Sequence, residues 1–158
     1  MKLLDIIVPN AIIPDLASTE RDEAIAEIVQ ALVDAGALSP ELREDFVKAI
    51  IKREKRGSTG FGHGVAVPHV KHPAISKMAV AVAVSRSGIE FNALDKQPVY
   101  SIFLLLSPED KPEDHLDAME AIFGNLSQET FRRFLRQAGS IEDVMTLLEE
   151  ADAGAAKR

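Results

Sequence analysis

The chain has 158 residues, 46% hydrophobic and 27% charged, with a net charge of −7, one tyrosine and neither tryptophan nor cysteine. Such a chain buries roughly two-thirds of its unfolded surface without covalent staples, so residues 1–158 are expected to form one domain. Without thiols there is no disulfide framework, thiolate metal site or cysteine nucleophile, and acidity with few aromatics disfavours nucleic acid as a partner.

In chain order, the N-terminal stretch Met1–Asn10 carries charges and Pro9 within a short apolar run, which is not the pattern of a signal peptide. No uncharged run approaches the roughly 18 residues of a membrane span, so a cytoplasmic protein without membrane insertion is expected. Residues 11–16 read as a short extended segment, placed at an edge by Pro14. A helix follows. Thr19 and Asp22 resemble a capping box, Ala24, Ile25, Ile28, Val29, Leu32 and Val33 recur on one face, and Gly36 supplies the stop. The second helix opens at Ser39–Pro40, turns Leu42, Phe46, Ile50 and Ile51 inward and ends at Gly57, its last turns carrying Lys52, Arg53, Lys55 and Arg56.

Glycines, cations and imidazoles then concentrate in residues 53–72, which hold three of the four histidines and four of the nine glycines. Gly57, Gly60, Gly62 and Gly64 are spaced as in a loop rather than a regular element. Backbone N–H groups there, with the hydroxyls of Ser58 and Thr59, are suited to an anion. From Lys48 to His72 six Lys or Arg face the single acid Glu54, a net of +5 in an acidic protein. A solvated helix face answering the helix dipole accounts equally for Lys48, Lys52 and Lys55. Val65–Pro68 is short enough for a strand at a sheet edge, which sets His69 just past a strand end.

Residues 78–84 and 99–106 are continuous apolar runs expected as buried strands, and a helix is expected to begin near Pro112. Three helical patterns follow, marked by Leu116, Met119, Ile122 and Phe123, by Phe131, Phe134 and Leu135, and by Ile141, Val144, Leu147 and Leu148. Ser140–Asp143 caps the last, and residues 151–158 are expected to fray. Strands interleaved with helices predict an α/β fold with the sheet between helices.

His115 falls in the first turn after Pro112, where the helix dipole disfavours imidazolium. If the strands ending near Pro68 and Leu106 are neighbours, His69 and His115 emerge on one edge of the sheet, and two imidazoles beside an arginine suit phosphoryl transfer. Three other chemistries are weaker. His63, His69 and His72 lack a standard metal-ligand spacing, so no metal is expected. Gly57–Gly60 is not a nucleophile elbow, and Gly60–Gly64 is not a dinucleotide loop.

Arg53-Glu-Lys-Arg-Gly-Ser-Thr-Gly60 followed by Gly62-His-Gly-Val-Ala-Val-Pro-His69 resembles the active-site region of type-2 enzyme IIA domains of the bacterial phosphoenolpyruvate-dependent phosphotransferase system, the fructose, mannitol and nitrogen-related class. Residues 89–99 match the segment before that family's central strand, and His115 stands where its second active-site histidine is found. The resemblance implies a mixed β-sheet flanked by helices on both faces, no cofactor, and His69 as the phosphorylated nucleophile. His115 would hydrogen-bond the phosphoryl group, Arg53 would stabilise its charge, and Ser58, Thr59 and Gly60 would form the phosphoryl-binding loop. The implied donor is the histidine phosphocarrier protein, and the acceptor a IIB unit or a regulated transporter or kinase. A regulatory binding module without onward transfer is the alternative. Val70 follows His69 where the family commonly has glycine.

Overall fold

The computed structural model describes residues 1–156. A 3-10 turn at Leu3–Asp5 leads into β1, Ile7–Ile13. Then come α1 (Arg21–Asp34), a 3-10 turn at Pro40–Leu42 continuing into α2 (Arg43–Arg56), β2 (Gly60–Gly62), β3 (Val65–Ala66), β4 (His69–His72), β5 (Ala79–Ile89) and β6 (Val99–Pro108). Three helices finish the chain: α3 (Pro112–Leu126), α4 (Glu129–Gln137) and α5 (Ile141–Ala156).

The sheet is mixed, in the order β1-β5-β6-β3-β2, with β4 also on β6. β5 and β6 are antiparallel, whereas β1 runs parallel to β5, and β3 and β4 run parallel to β6. Period-two alternation on the central pair sorts the core into two layers. Ala79, Ala81 and Ala83 with Ile102, Leu104 and Leu106 face Ile25, Ile28, Leu32 and Phe46 of α1 and α2. Val80, Val82 and Val84 with Phe103 and Leu105 face Ile122, Phe131, Leu135 and Leu148 of α3, α4 and α5. The alanines sit opposite the large residues of β6, Ala81 against Leu104 and Ala83 against Ile102, so small and large side chains share the first layer. Each fully buried aliphatic or phenylalanine side chain contributes about 1.5–3 kcal/mol, and this two-sided core dominates the stability of the sheet.

Several local expectations change. The first strand begins at Ile7, earlier than residue 11, and contains Pro9; β1 is an edge strand whose register breaks between Ile7 and Ile12, which accommodates a residue without an N–H. Thr19 and Asp22 form no capping box. Instead Glu27 reaches back from α1 to accept from Ala17 N, Ser18 N and Ser18 Oγ at 2.7–3.1 Å. Gly36 does take the left-handed conformation that ends α1, with φ +78°.

The glycine-rich stretch is more regular than a loop. Gly60–Gly62 is strand, and His63 (φ 61°) with Gly64 (φ 76°) makes the two-residue turn to β3. His69 lies past the end of β3, as expected, and also opens β4, which resumes the pairing with β6 after a gap at Val67–Pro68. Of the residues that marked the last three helical patterns, Leu116, Phe123, Phe134 and Ile141 are exposed. The expected frayed tail is helical through Ala156, and Asp152 is buried, accepting Leu3 N at 2.8 Å and Leu4 N at 3.0 Å. Residues 157–158 of that tail lie outside the described residues. Ser140 caps α5 as expected, with Asp143 N donating to its Oγ at 3.0 Å.

Candidate functional site

Backbone pairing sets the first imidazole. Pro68 O accepts from Leu105 N at 2.9 Å, and His69 registers against Leu105. The half-buried ring turns back on its own chain, with Nδ1 2.8 Å from Val67 O. A carbonyl only accepts, so Nδ1 carries the proton and the Nε2 lone pair is left for a nucleophile's work.

The second imidazole arrives from α3. β6 ends at Pro108, and the short connection to Pro112 brings the first turn of the helix over the strand end. His115 is 6% exposed, its Nδ1 2.7 Å from the buried Ser107 Oγ. Its ring centroid lies 5.6 Å from that of His69, with the planes at 54°. Burial first, then the charges of His69 and Lys71, push its pKa below the ordinary 6.5. The ring is therefore neutral near pH 7. In the tautomer in which the Ser107 hydroxyl donates to Nδ1, the ring's proton sits on Nε2 as a hydrogen-bond donor.

The loop before these residues is closed by an acid that composition alone counted only as a charge. Glu54, 3% exposed on α2, accepts Thr59 N at 3.0 Å and the Thr59 hydroxyl. Gly60 N donates to Ser58 Oγ at 3.0 Å, and Thr59 O accepts from Val67 N at 3.4 Å, which lays Ser58–Gly60 alongside the residue two before His69. Thr59 N, the Thr59 hydroxyl and Gly60 N are thus bonded within the chain rather than open to an anion. Arg53 is exposed, its Nη1 bonded to Gly57 O at 2.7 Å across the C-terminus of α2.

The structure therefore brings His69 and His115 together and joins the 58–60 loop to the chain at Val67, two residues before His69, while Arg53 caps its own helix. His63 serves the exposed hairpin turn, and His72 packs on Phe46 with centroids 4.7 Å apart, so neither belongs to the pair. Among the described residues no group of three or more His, Cys, Asp or Glu converges as a metal site. Sequence reasoning missed Ser107 and Glu54. Ser107 read only as the end of a strand; its place eight residues before His115, across a turn, was the available signal. Val70 is half-buried against the α1/α2 layer and pairs with Leu106, so its branched side chain serves packing.

Comparison with known proteins agrees with this architecture. Residues 5–151 match the family described as "Phosphoenolpyruvate-dependent sugar phosphotransferase system, EIIA 2". The chain is 30% identical over 96% of its length to the fructose-specific EIIABC component of Bacillus subtilis, of which it spans only 24%. It is 32% identical over 99% of its length to a nitrogen regulatory protein of Bradyrhizobium diazoefficiens, covering 100% of that protein. The crystal structure of the nitrogen regulatory protein IIA-Ntr from Neisseria meningitidis superposes with a TM-score of 0.81 at 32% identity, covering 90% of this chain and 96% of that one.

Proposed function

The chain belongs to the EIIA 2 family of the phosphoenolpyruvate-dependent sugar phosphotransferase system, a family of phosphoryl-carrier domains, and from that premise we propose that His69 carries the phosphoryl group. The observation behind this reading is the 2.8 Å bond from His69 Nδ1 to Val67 O, which leaves Nε2 unprotonated beside the neutral His115. The Nε2 lone pair attacks the phosphorus of a phosphohistidine on the histidine phosphocarrier protein. One N–P bond forms as the other breaks, and the bonding pair returns to the carrier's imidazole.

His69 becomes a phosphorylated imidazolium whose Nδ1–H stays on Val67 O, so the developing positive charge is met by a carbonyl dipole. His115 donates to a phosphoryl oxygen and Ser107 orients it. Arg53 contributes by leaving Gly57 O and turning to the phosphoryl group, and Ser58, Thr59 and Gly60 flank it. The phosphoryl group then passes to a IIB unit, in keeping with the fructose-specific EIIABC relative. Incubation with phosphoenolpyruvate, the first enzyme of the system and the carrier should add one acid-labile phosphoryl mass. An undiminished adduct on His69→Ala, or none on the wild type, removes the reading.

A second output is supported by the 32% identity to a nitrogen regulatory protein over 99% of this chain and by the TM-score of 0.81 with IIA-Ntr. In that reading the phosphorylation state of His69 controls association with a transporter or kinase. Pull-down with the phosphorylated and unphosphorylated forms separates the two outputs, and identical partners at identical affinity would eliminate the switch.

A further inference from the structure

A second concentration of positive charge lies at the other end of the sheet. In register, Val65 pairs with Ser101 and His69 with Leu105, so four residues of β6, roughly 13 Å of strand, separate the two regions. There α4 and β5 enclose a cavity of about 630 Å³ into which Arg86, Arg132, Arg133 and Arg136 converge around Tyr100, with Glu129 as the one carboxylate. Four guanidiniums against one acid give the cavity a net of +3 in a chain of −7. Among the described residues none of the four is in an ion pair.

The cavity is structured rather than a loose patch. Arg136 lies over the Tyr100 ring at 3.5 Å. The ring is itself wedged between two left-handed glycines: a Cβ at Gly64 would stand 3.2 Å from Tyr100 Cδ2, and one at Gly88 3.0 Å from Cε1. Arg86 Nη2 donates to Ala138 O at 3.0 Å and Arg132 Nη1 to Leu126 O at 2.8 Å, which fixes two further guanidiniums on backbone carbonyls. Arg132 and Arg136 stand four residues apart on α4, a like-charge spacing that destabilises a helix until an anion lies between them.

We propose that this cavity binds a small polyanion carrying two or more phosphates, as inorganic pyrophosphate or the phosphate chain of a nucleotide. Planar guanidiniums match phosphate oxygens bidentately, and the volume falls in the range of small-molecule sites. A concave site gathered about a single ring suits such a ligand better than the broad face an acidic protein would cover.

The test is titration calorimetry at low ionic strength with pyrophosphate, ATP and a glutamate-rich peptide, together with thermal melts. Saturable one-to-one binding of pyrophosphate or ATP, with a rise in Tm of the wild type, is expected. Equal affinities assign recognition to the phosphates alone; tighter ATP adds a contact to the nucleoside. Arg133→Gln with Arg136→Gln should weaken binding by about tenfold or more, whereas Lys48→Gln with Lys52→Gln, on the exposed face of α2, should leave it unchanged. Circular dichroism checks that both double variants are folded. No saturable binding and no Tm shift overturns the site, as does equal weakening by the two double variants. Tighter binding of the peptide than of pyrophosphate overturns it in favour of an acidic protein partner.

Discussion

His115 is held neutral mainly by burial, and this couples the chemistry of a single residue to stability. Its folded pKa lies below the ordinary 6.5, so between those two values the unfolded chain binds more protons than the folded one. Its contribution is fully present above pH 6.5 and falls as the pH drops through 6.5 toward the folded value. Melting temperatures measured across pH 5–8 should therefore decline on the acid side, and His115→Asn should flatten that decline; an unchanged slope would assign it to other groups. Glu54 is the second residue whose role is set by partners. Glu54→Gln replaces one accepting oxygen with an amide nitrogen opposite the Thr59 donors, and a loss of about 1–3 kcal/mol is expected. A lower urea midpoint at constant m-value would report it. Each is held by a neighbour from another part of the chain, Ser107 for His115 and Thr59 for Glu54.

Among the elements, β2 and the hairpin behind it depend on closeness. A Cβ on Gly60 would stand 2.9 Å from the Ala93 Cβ and 3.2 Å from its Cα, and Gly60 O also accepts from Leu94 N at 2.8 Å. Gly60→Ala should cost about 1–3 kcal/mol by forcing these two segments apart. Gly124 is the contrast, a glycine inside α3 with nothing within 4 Å of its absent Cβ. Gly124→Ala should stabilise by about 0.5–1 kcal/mol, because helix interiors favour alanine. Denaturation of the two variants side by side checks the sign of each. What separates the two glycines is whether another segment occupies the space of the missing methyl.

For the whole molecule, the two ends of the chain meet at Asp152, which takes the N–H groups of Leu3 and Leu4. Those donors open the first 3-10 turn and have no partner within it. Asp152→Ala should lower stability by about 1–3 kcal/mol and raise amide exchange at Leu3 and Leu4, with the α1/α2 layer unaffected. Unchanged exchange at those two amides would mean the termini are held by apolar packing alone.

The continuous apolar runs of residues 78–84 and 99–106 were sufficient to place the central strands, though not their full extent over Ala79–Ile89 and Val99–Pro108, and the 3.6-residue periodicities to place five helices, because burial of a face is a property of local spacing. The charge pattern and the histidines marked the candidate region because those residues are neighbours in the sequence. Tertiary structure alone decided that β4 resumes beside β6, that Ser107 meets His115, that Glu54 closes the loop and that four arginines from α4 and β5 surround one tyrosine. Hydrogen bonds and charge convergence depend on distances between segments remote in the chain, and those distances exist only once the two-sided core has set the strands and helices against one another.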